Sequence, residues 1–142
     1  MSEYDPDNIF AKILRGDLPA HVIHEDAETL AFMDIMPRAD GHCLVIPRAR
    51  GRNLLDLDPE AVVSVAKVVQ RVARAAMKAF AADGVVVQQF NEALAGQEVF
   101  HYHVHVVPRF EGTALRPRDG AVADGEVLKA HAEKLRAALA EL

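Results

Sequence analysis

The sequence predicts an α+β domain: a five-stranded antiparallel sheet with a short N-terminal helix, one long central helix and an extra C-terminal helix, in a single domain over residues 1–142. Three observations predict it. Short β-rich runs bounded by turn residues recur through residues 21–47 and 85–110. One stretch, Asp58 to Asp83, carries residue types suited to both ends of a long helix. Three histidines, His101, His103 and His105, stand at alternate positions, a spacing that lines up on one face only in extended backbone.

The elements follow in order. Asn8 to Arg15 places Ile9, Phe10, Ile13 and Leu14 at helical spacing, with Asn8 as N-cap and Gly16 just after the end. His21 to Asp26 and Thr29 to Asp34 read as a hairpin about an acidic turn, and Met36-Pro37 ends the second strand. Gly41 to Pro47 forms a third strand, followed by the basic turn Arg48 to Arg52, which is either a solvated face or a phosphate contact. Asp58 caps the long helix, Pro59 is its first residue, and Gly84 is available just past its end. Lys67, Arg71 and Arg74 mark a narrow polar stripe on it, so the Val and Ala positions opposite are expected at a dimer interface; an Ala-rich wet surface is the alternative. Val85 to Asn91 and Val99 to Phe110 supply the last two strands, with the loop Glu92 to Glu98 between them. Glu111 to Ala123 is a loop, and a final helix runs from Asp124 with Leu128, Ala132, Leu135 and Leu139 on one face.

Composition narrows the function. The chain has 142 residues, 51% of them hydrophobic, which suffices for one packed core. Sixteen Lys plus Arg against 21 Asp plus Glu leave a net charge of −5, which argues against a nucleic-acid partner. The apolar runs are short of the ~20 residues of a membrane span, so no membrane association is expected. A lone Cys43 and an opening without a basic-then-apolar leader fit a cytoplasmic location. Cys43 alternates with His42, so its thiol is expected on the opposite side of the strand, buried and structural.

The histidine row carries the chemistry. Same-face residues on a strand lie about 6.6 Å apart, so three imidazoles line one side while Tyr102, Val104 and Val106 pack on the other. A metal site is one reading, but a flat row about 13 Å long does not bring both outer rings onto one ion. The other is nucleophilic attack on phosphorus by the middle imidazole, which is largely neutral near pH 7 and makes a good leaving group in a second step.

These residues also carry a resemblance. Gly96 to Arg109, GQEVFHYHVHVVPR, resembles the signature of the histidine triad (HIT) family, and Asp7–Asp26, Leu30–Arg48 and Phe90–Gln97 resemble blocks of its Hint-like branch. The likeness covers a core of about residues 7–110 and leaves out the loop and helix of residues 111–142. It implies a HIT-like fold, and a hydrolase or transferase acting at the α-phosphate of purine nucleotide (AMP or GMP) conjugates, nucleoside phosphoramidates first, with no cofactor and no metal. It implies that His103 is the nucleophile, that His105 and His101 flank it, and that His42 completes the polar network. It implies that Asp34 accepts from the ribose hydroxyls, that Asn91, Gly96, Gln97 and the backbone near Glu98 and Val99 contact the phosphate, and that Phe10, Ile13, Leu18, Phe32 and Ile35 wall the base. Histidine rather than glutamine at position 105 speaks against the family's uridylyltransferase branch. Arg50 stands where many relatives have a second histidine, Glu98 replaces the common hydroxyl residue, and the stretch from Asn91 to His101 is one residue short. The Glu98 side chain is therefore expected to face away from the phosphate. Dinucleoside polyphosphate hydrolysis is the alternative if the Arg48–Arg52 turn and Arg109 reach a second phosphate. A nucleotide-sensing interaction module with incidental turnover is another.

Overall fold

A computed structural model describes residues 3–142. Its elements are α1 (Ile9–Arg15), β1 (Val22–Glu25), β2 (Thr29–Met33), β3 (Cys43–Pro47), α2 (Pro59–Phe80), β4 (Gly84–Gln88), a 3₁₀ turn (Ala93–Ala95), β5 (Val104–Arg109) and α3 (Gly125–Ala140). The strands form one sheet in the order β1-β2-β3-β5-β4, and every neighbouring pair is antiparallel. None of the described helices is long and apolar enough to cross a membrane.

Local chemistry sets the element ends. The Asn8 side chain accepts from the N–H groups of Phe10 and Ala11, and Gly16 closes α1 at φ 83°, a left-handed conformation that costs glycine nothing. The carboxylate of Asp26 accepts from Glu28 and Thr29 N–H and from the Thr29 hydroxyl, which builds the β1–β2 turn. Asp58 accepts from Glu60 N–H ahead of Pro59, as expected for the start of α2. Its end differs from expectation: Ala81 at φ 49° caps the helix, and Gly84 opens β4. The chain must leave the helix early because Asp83 N–H donates to Arg109 O and Gly84 pairs with Arg109.

The sheet separates two apolar layers. Ala31, Met33, Cys43, Val45, Val104 and Val106 face α2 and α3, and pack with Val65, Val72, Leu128 and Leu135. Leu30, Phe32, Leu44 and Ile46 face the other way, onto Phe10 of α1. Strand alternation therefore sends His42 and His105 to the α1 side, while Cys43 is fully buried on the α2 side and its thiol is pushed up to about 12 by desolvation.

The fifth strand is shorter than Val99–Phe110, beginning only at Val104. Beyond the Val45–Val104 pair, a continued ladder would run Tyr102 alongside Pro47, which has no N–H to give; Tyr102 N–H goes instead to Gly51 O. The alternation of sides persists without the ladder, because Tyr102 enters the α2 layer while His101 and His103 are buried opposite.

Packing on α2 also departs from expectation. Positions opposite the Lys67–Arg71–Arg74 stripe, such as Val65, Val69, Val72 and Ala76, belong to the chain's own core. α3 lies alongside, tied by Arg71 to Leu139 O and by Lys78 to Glu141, and covers part of the apolar arc. The apolar residues left exposed are Val63 and Ala66, flanked by the partly buried Val62, Ala73 and Met77, beside the basic stripe rather than opposite it.

Candidate active site

A cleft of about 630 Å³ opens on the α1 side of the sheet, a volume suited to a small-molecule ligand. One end is apolar, with Ile9, Phe10, Ile13, Leu18, Phe32 and Ile35 in its walls. The other is polar, with Asp34, Arg38, His42, Gly96, Glu98, Val99, His103, His105 and Arg118. Of the residues expected at the site, His101, Asn91 and Gln97 do not line it.

Hydrogen bonds assign the imidazole protons. His103 Nδ1 lies 2.7 Å from the carbonyl oxygen of His101, which can only accept, so Nδ1 carries the proton and Nε2 is a free lone pair. Backbone N–H of Arg38 donates to His42 Nδ1 at 3.0 Å, so His42 holds its proton on Nε2. That proton points to His105 Nδ1 at 3.0 Å, with Asp34 Oδ2 at 3.4 Å, and therefore leaves His105 with a donating Nε2–H. The rings of His103 and His105 are edge to face, their centroids 5.1 Å apart. The site thus presents a bare nucleophilic nitrogen beside a nitrogen that donates.

Burial keeps these rings neutral. Desolvation lowers the pKa of His42 to about 4, with Arg38 adding to the effect, and that of His105 to about 3, with nearby positive groups adding. His103 is lowered by desolvation too, against a raising effect of its bond to His101 O and of Glu98. Asp34 is pushed up, chiefly by burial, although Met36 N–H donates to its Oδ1.

His101 lies behind the cleft rather than in its lining. It is fully buried, donates from Nε2 to Pro47 O at 2.8 Å and accepts at Nδ1 from the Tyr4 hydroxyl at 2.6 Å. Both ring nitrogens are occupied, and it is the residue's backbone carbonyl that faces His103. Tyr4 sits ahead of any periodic segment, so nothing in its local sequence marks this role.

Gln97 and Asn91 likewise act from behind. Gln97 accepts from Glu92 N–H and Asn53 Nδ2, and donates to Arg52 O and Val99 O. Arg52 grips the Glu92 carboxylate with two bonds of 2.8 and 3.0 Å, holding Glu92 at φ 75°. Asn91 spends its oxygen on Leu54 N–H and on Gln89. Together they anchor the loop whose Gly96, Glu98 and Val99 reach the cleft. Glu98 does not turn to the opposite face: its carboxylate stands at the rim, 72% exposed and 3.3 Å from Arg118.

None of the arginines proposed for a second phosphate reaches the cleft. Arg48 binds Glu25 and Asp26 O, Arg50 lies over the Tyr4 ring, Arg52 holds Glu92, and Arg109 lies at the far end of β5. The cations that do line it, Arg38 and Arg118, come from the turn after β2 and from the 111–123 loop.

Asp34, His42 and His105 bring three ligand atoms within 4.8 Å of one another, the donor set of a metal site. Their hydrogen bonding does not suit one. With Nδ1 occupied as an acceptor, His42 would have to lose its only ring proton to coordinate through Nε2. The trio is instead an ordered set of contacts in which one His42 proton is shared between His105 and Asp34.

An antiparallel sheet that sets neutral imidazoles from adjacent strands at the mouth of an apolar cleft defines the histidine triad class of nucleotide-binding hydrolases and transferases. The chain belongs to the HIT family: the profile of the HIT domain matches residues 15–112. The crystal structure of a Hit-like protein from Bartonella henselae, described as involved in cell-cycle regulation, is 49% identical and superposes with a TM-score of 0.90, covering 96% of this chain and 99% of that one. A zinc-bound histidine triad family protein from Mycobacterium smegmatis is 40% identical with a TM-score of 0.83, covering 95% and 94%. An adenylylsulfatase of Arabidopsis thaliana is 35% identical over 109 residues, 77% of this chain and 55% of that protein.

Proposed function

We propose that the protein hydrolyses or transfers the nucleotidyl group of purine nucleotide conjugates, nucleoside phosphoramidates foremost, through a nucleotidyl-His103 intermediate. The observation that carries this reading is the 2.7 Å bond from His103 Nδ1 to His101 O, which leaves Nε2 unprotonated at the polar end of the cleft. Nε2 attacks the α-phosphorus; as the new N–P bond forms, the substrate's bond to its leaving group breaks, and a phosphoramidate nitrogen takes a proton from solvent and departs as the neutral amine. The ring becomes cationic, and the His101 carbonyl on its Nδ1–H stabilises it. Nε2–H of His105 donates to a phosphoryl oxygen, with backbone N–H groups near Glu98 and Val99 as further donors. Water then displaces His103 from phosphorus: its oxygen bonds to phosphorus and gives up a proton to solvent, and the N–P electron pair returns to Nε2, which restores the neutral ring. The apolar end receives the base, and Asp34 accepts from the ribose hydroxyls. The adenylylsulfatase relative supports cleavage next to an α-phosphate.

The chain acts in this reading as a homodimer in the cytoplasm, paired through the apolar strip around the exposed Val63 and Ala66. Brief mixing with a nucleoside phosphoramidate tests the chemistry. The expected result is a protein mass increase of one nucleotidyl group, mapped to residues 99–109, acid-labile and base-stable, with net retention of configuration at phosphorus. Inversion, or no adduct under any quench, would overturn it.

A further inference from the structure

The cleft's two guanidinium groups have no part in that mechanism. Arg118 arrives on the loop of residues 111–123, which is tied across the polar end of the cleft by backbone pairing. Arg116 N–H donates to Arg38 O at 2.8 Å, Arg38 Nε returns a bond to Arg116 O at 3.0 Å, and Ala123 N–H donates to Ile35 O at 2.8 Å. The guanidinium of Arg118 stands 5.3 Å from the centre of the Phe90 ring, which is itself 5.9 Å from that of His105. Its Nη2 donates to Gly96 O at 2.9 Å and reaches Glu98 at 3.3 Å. Among the described residues, Nε and Nη1 of Arg118 and both Nη atoms of Arg38 donate to nothing.

Position and chemistry give these donors a ligand. Both arginines line the cleft with His105, Arg118 reaching it across the Phe90 ring, and with the nucleoside in the apolar part this polar part is left for the group displaced from phosphorus. A guanidinium fork matches a carboxylate, sulfate or phosphate, and a neutral departing group leaves it unused. The exposed pair with Glu98 is weak enough to exchange for a ligand anion. We propose that Arg118, with Arg38 beside it, forms an anion subsite for the departing half of the substrate, so that preferred conjugates carry a negative charge on the leaving group. The proposal rests on the function given above and names its substrate class.

The test uses two adenosine 5′-phosphoramidates, one of an amino acid and one of the same amino acid's amide. They share the P–N bond and differ by one negative charge. The wild type is expected to favour the acid in kcat/KM by about tenfold, as one charge-assisted hydrogen bond allows. Arg118→Gln should bring that ratio near one, Arg118→Lys should keep part of it, and Arg118→Glu should invert it. Because the ratio is taken within each variant, a loosened loop that slows both substrates does not alter it. A wild-type ratio near one, or ratios in Arg118→Gln and Arg118→Glu within about twofold of wild type, would overturn the subsite while leaving the nucleotidyl transfer intact. Such an unchanged ratio would assign Arg118 to the α-phosphate common to both compounds, or to the loop. Turnover of neither conjugate by the wild type would overturn the proposed function itself.

Discussion

A single proton position decides what His103 can do. With Nδ1–H committed to a carbonyl, the lone pair on Nε2 is available without prior deprotonation, so His103→Ala should lower kcat by about three orders of magnitude or more. AMP affinity should fall far less, because the apolar walls and Asp34 remain; equal loss of binding and turnover would remove His103 from the nucleophile role. Asp34 is separable from the chemistry. Asp34→Ala should weaken AMP by about ten- to a hundredfold, but its 2′,3′-dideoxy analogue much less, as titration calorimetry can show. At this scale the histidines were legible because a period of two in an apolar run means one face. Tyr4, Arg38 and Arg118 were not, because isolated residues in loops carry no periodic mark.

The loop of residues 92–98 shows how an element is held from behind. Gln97 is buried and makes four hydrogen bonds, so Gln97→Ala leaves several backbone and side-chain groups without partners and should cost about 2–4 kcal/mol. Turnover should drop with it, since the backbone of Glu98 and Val99 moves; a full loss of stability with unchanged kcat/KM would count against that backbone as an oxyanion contact. α3 is the contrasting element. Leu135, fully buried between α3 and α2, should cost about 2–5 kcal/mol as Leu135→Ala in chemical denaturation, with kcat/KM retained at temperatures below unfolding. Sequence spacing revealed both helices, yet not that α3 covers α2, because an apolar stripe does not name its partner.

For the molecule as a whole, the buried histidines make stability depend on pH. His42 and His101 titrate near 4 and His105 near 3 in the fold, against 6.5 when exposed, so the unfolded chain binds more protons between those limits. Stability is complete above about pH 6.5 and lost as the pH falls toward 4. Asp34, raised by burial, acts in the opposite sense above its ordinary value of 3.8, and is outnumbered by the three rings. The expected outcome is a Tm that is level from pH 7 upward and declines steadily from pH 6.5 to 4.5; a level Tm across that acid range would mean the rings are solvated. Light scattering should give a dimer at micromolar concentration, and Val63→Glu, at a half-exposed position on the uncovered strip, should yield a folded monomer.

By itself the sequence determined the α+β class, the N-terminal caps Asn8 and Asp58 of the first two helices, the opposite sides taken by His42 and Cys43, and the histidine row with its apolar back. Each rests on short-range rules: a period of 2 or 3.6, or a side chain bonding a backbone group a few residues away. Only the tertiary structure decided which histidines line the cleft and which one lies behind it. It also decided which arginines reach the cleft and which face of α2 stays uncovered. Those outcomes depend on contacts between residues as distant as Tyr4 and His101, or Arg38 and Arg116, and the chain encodes them only through the fold that brings them together.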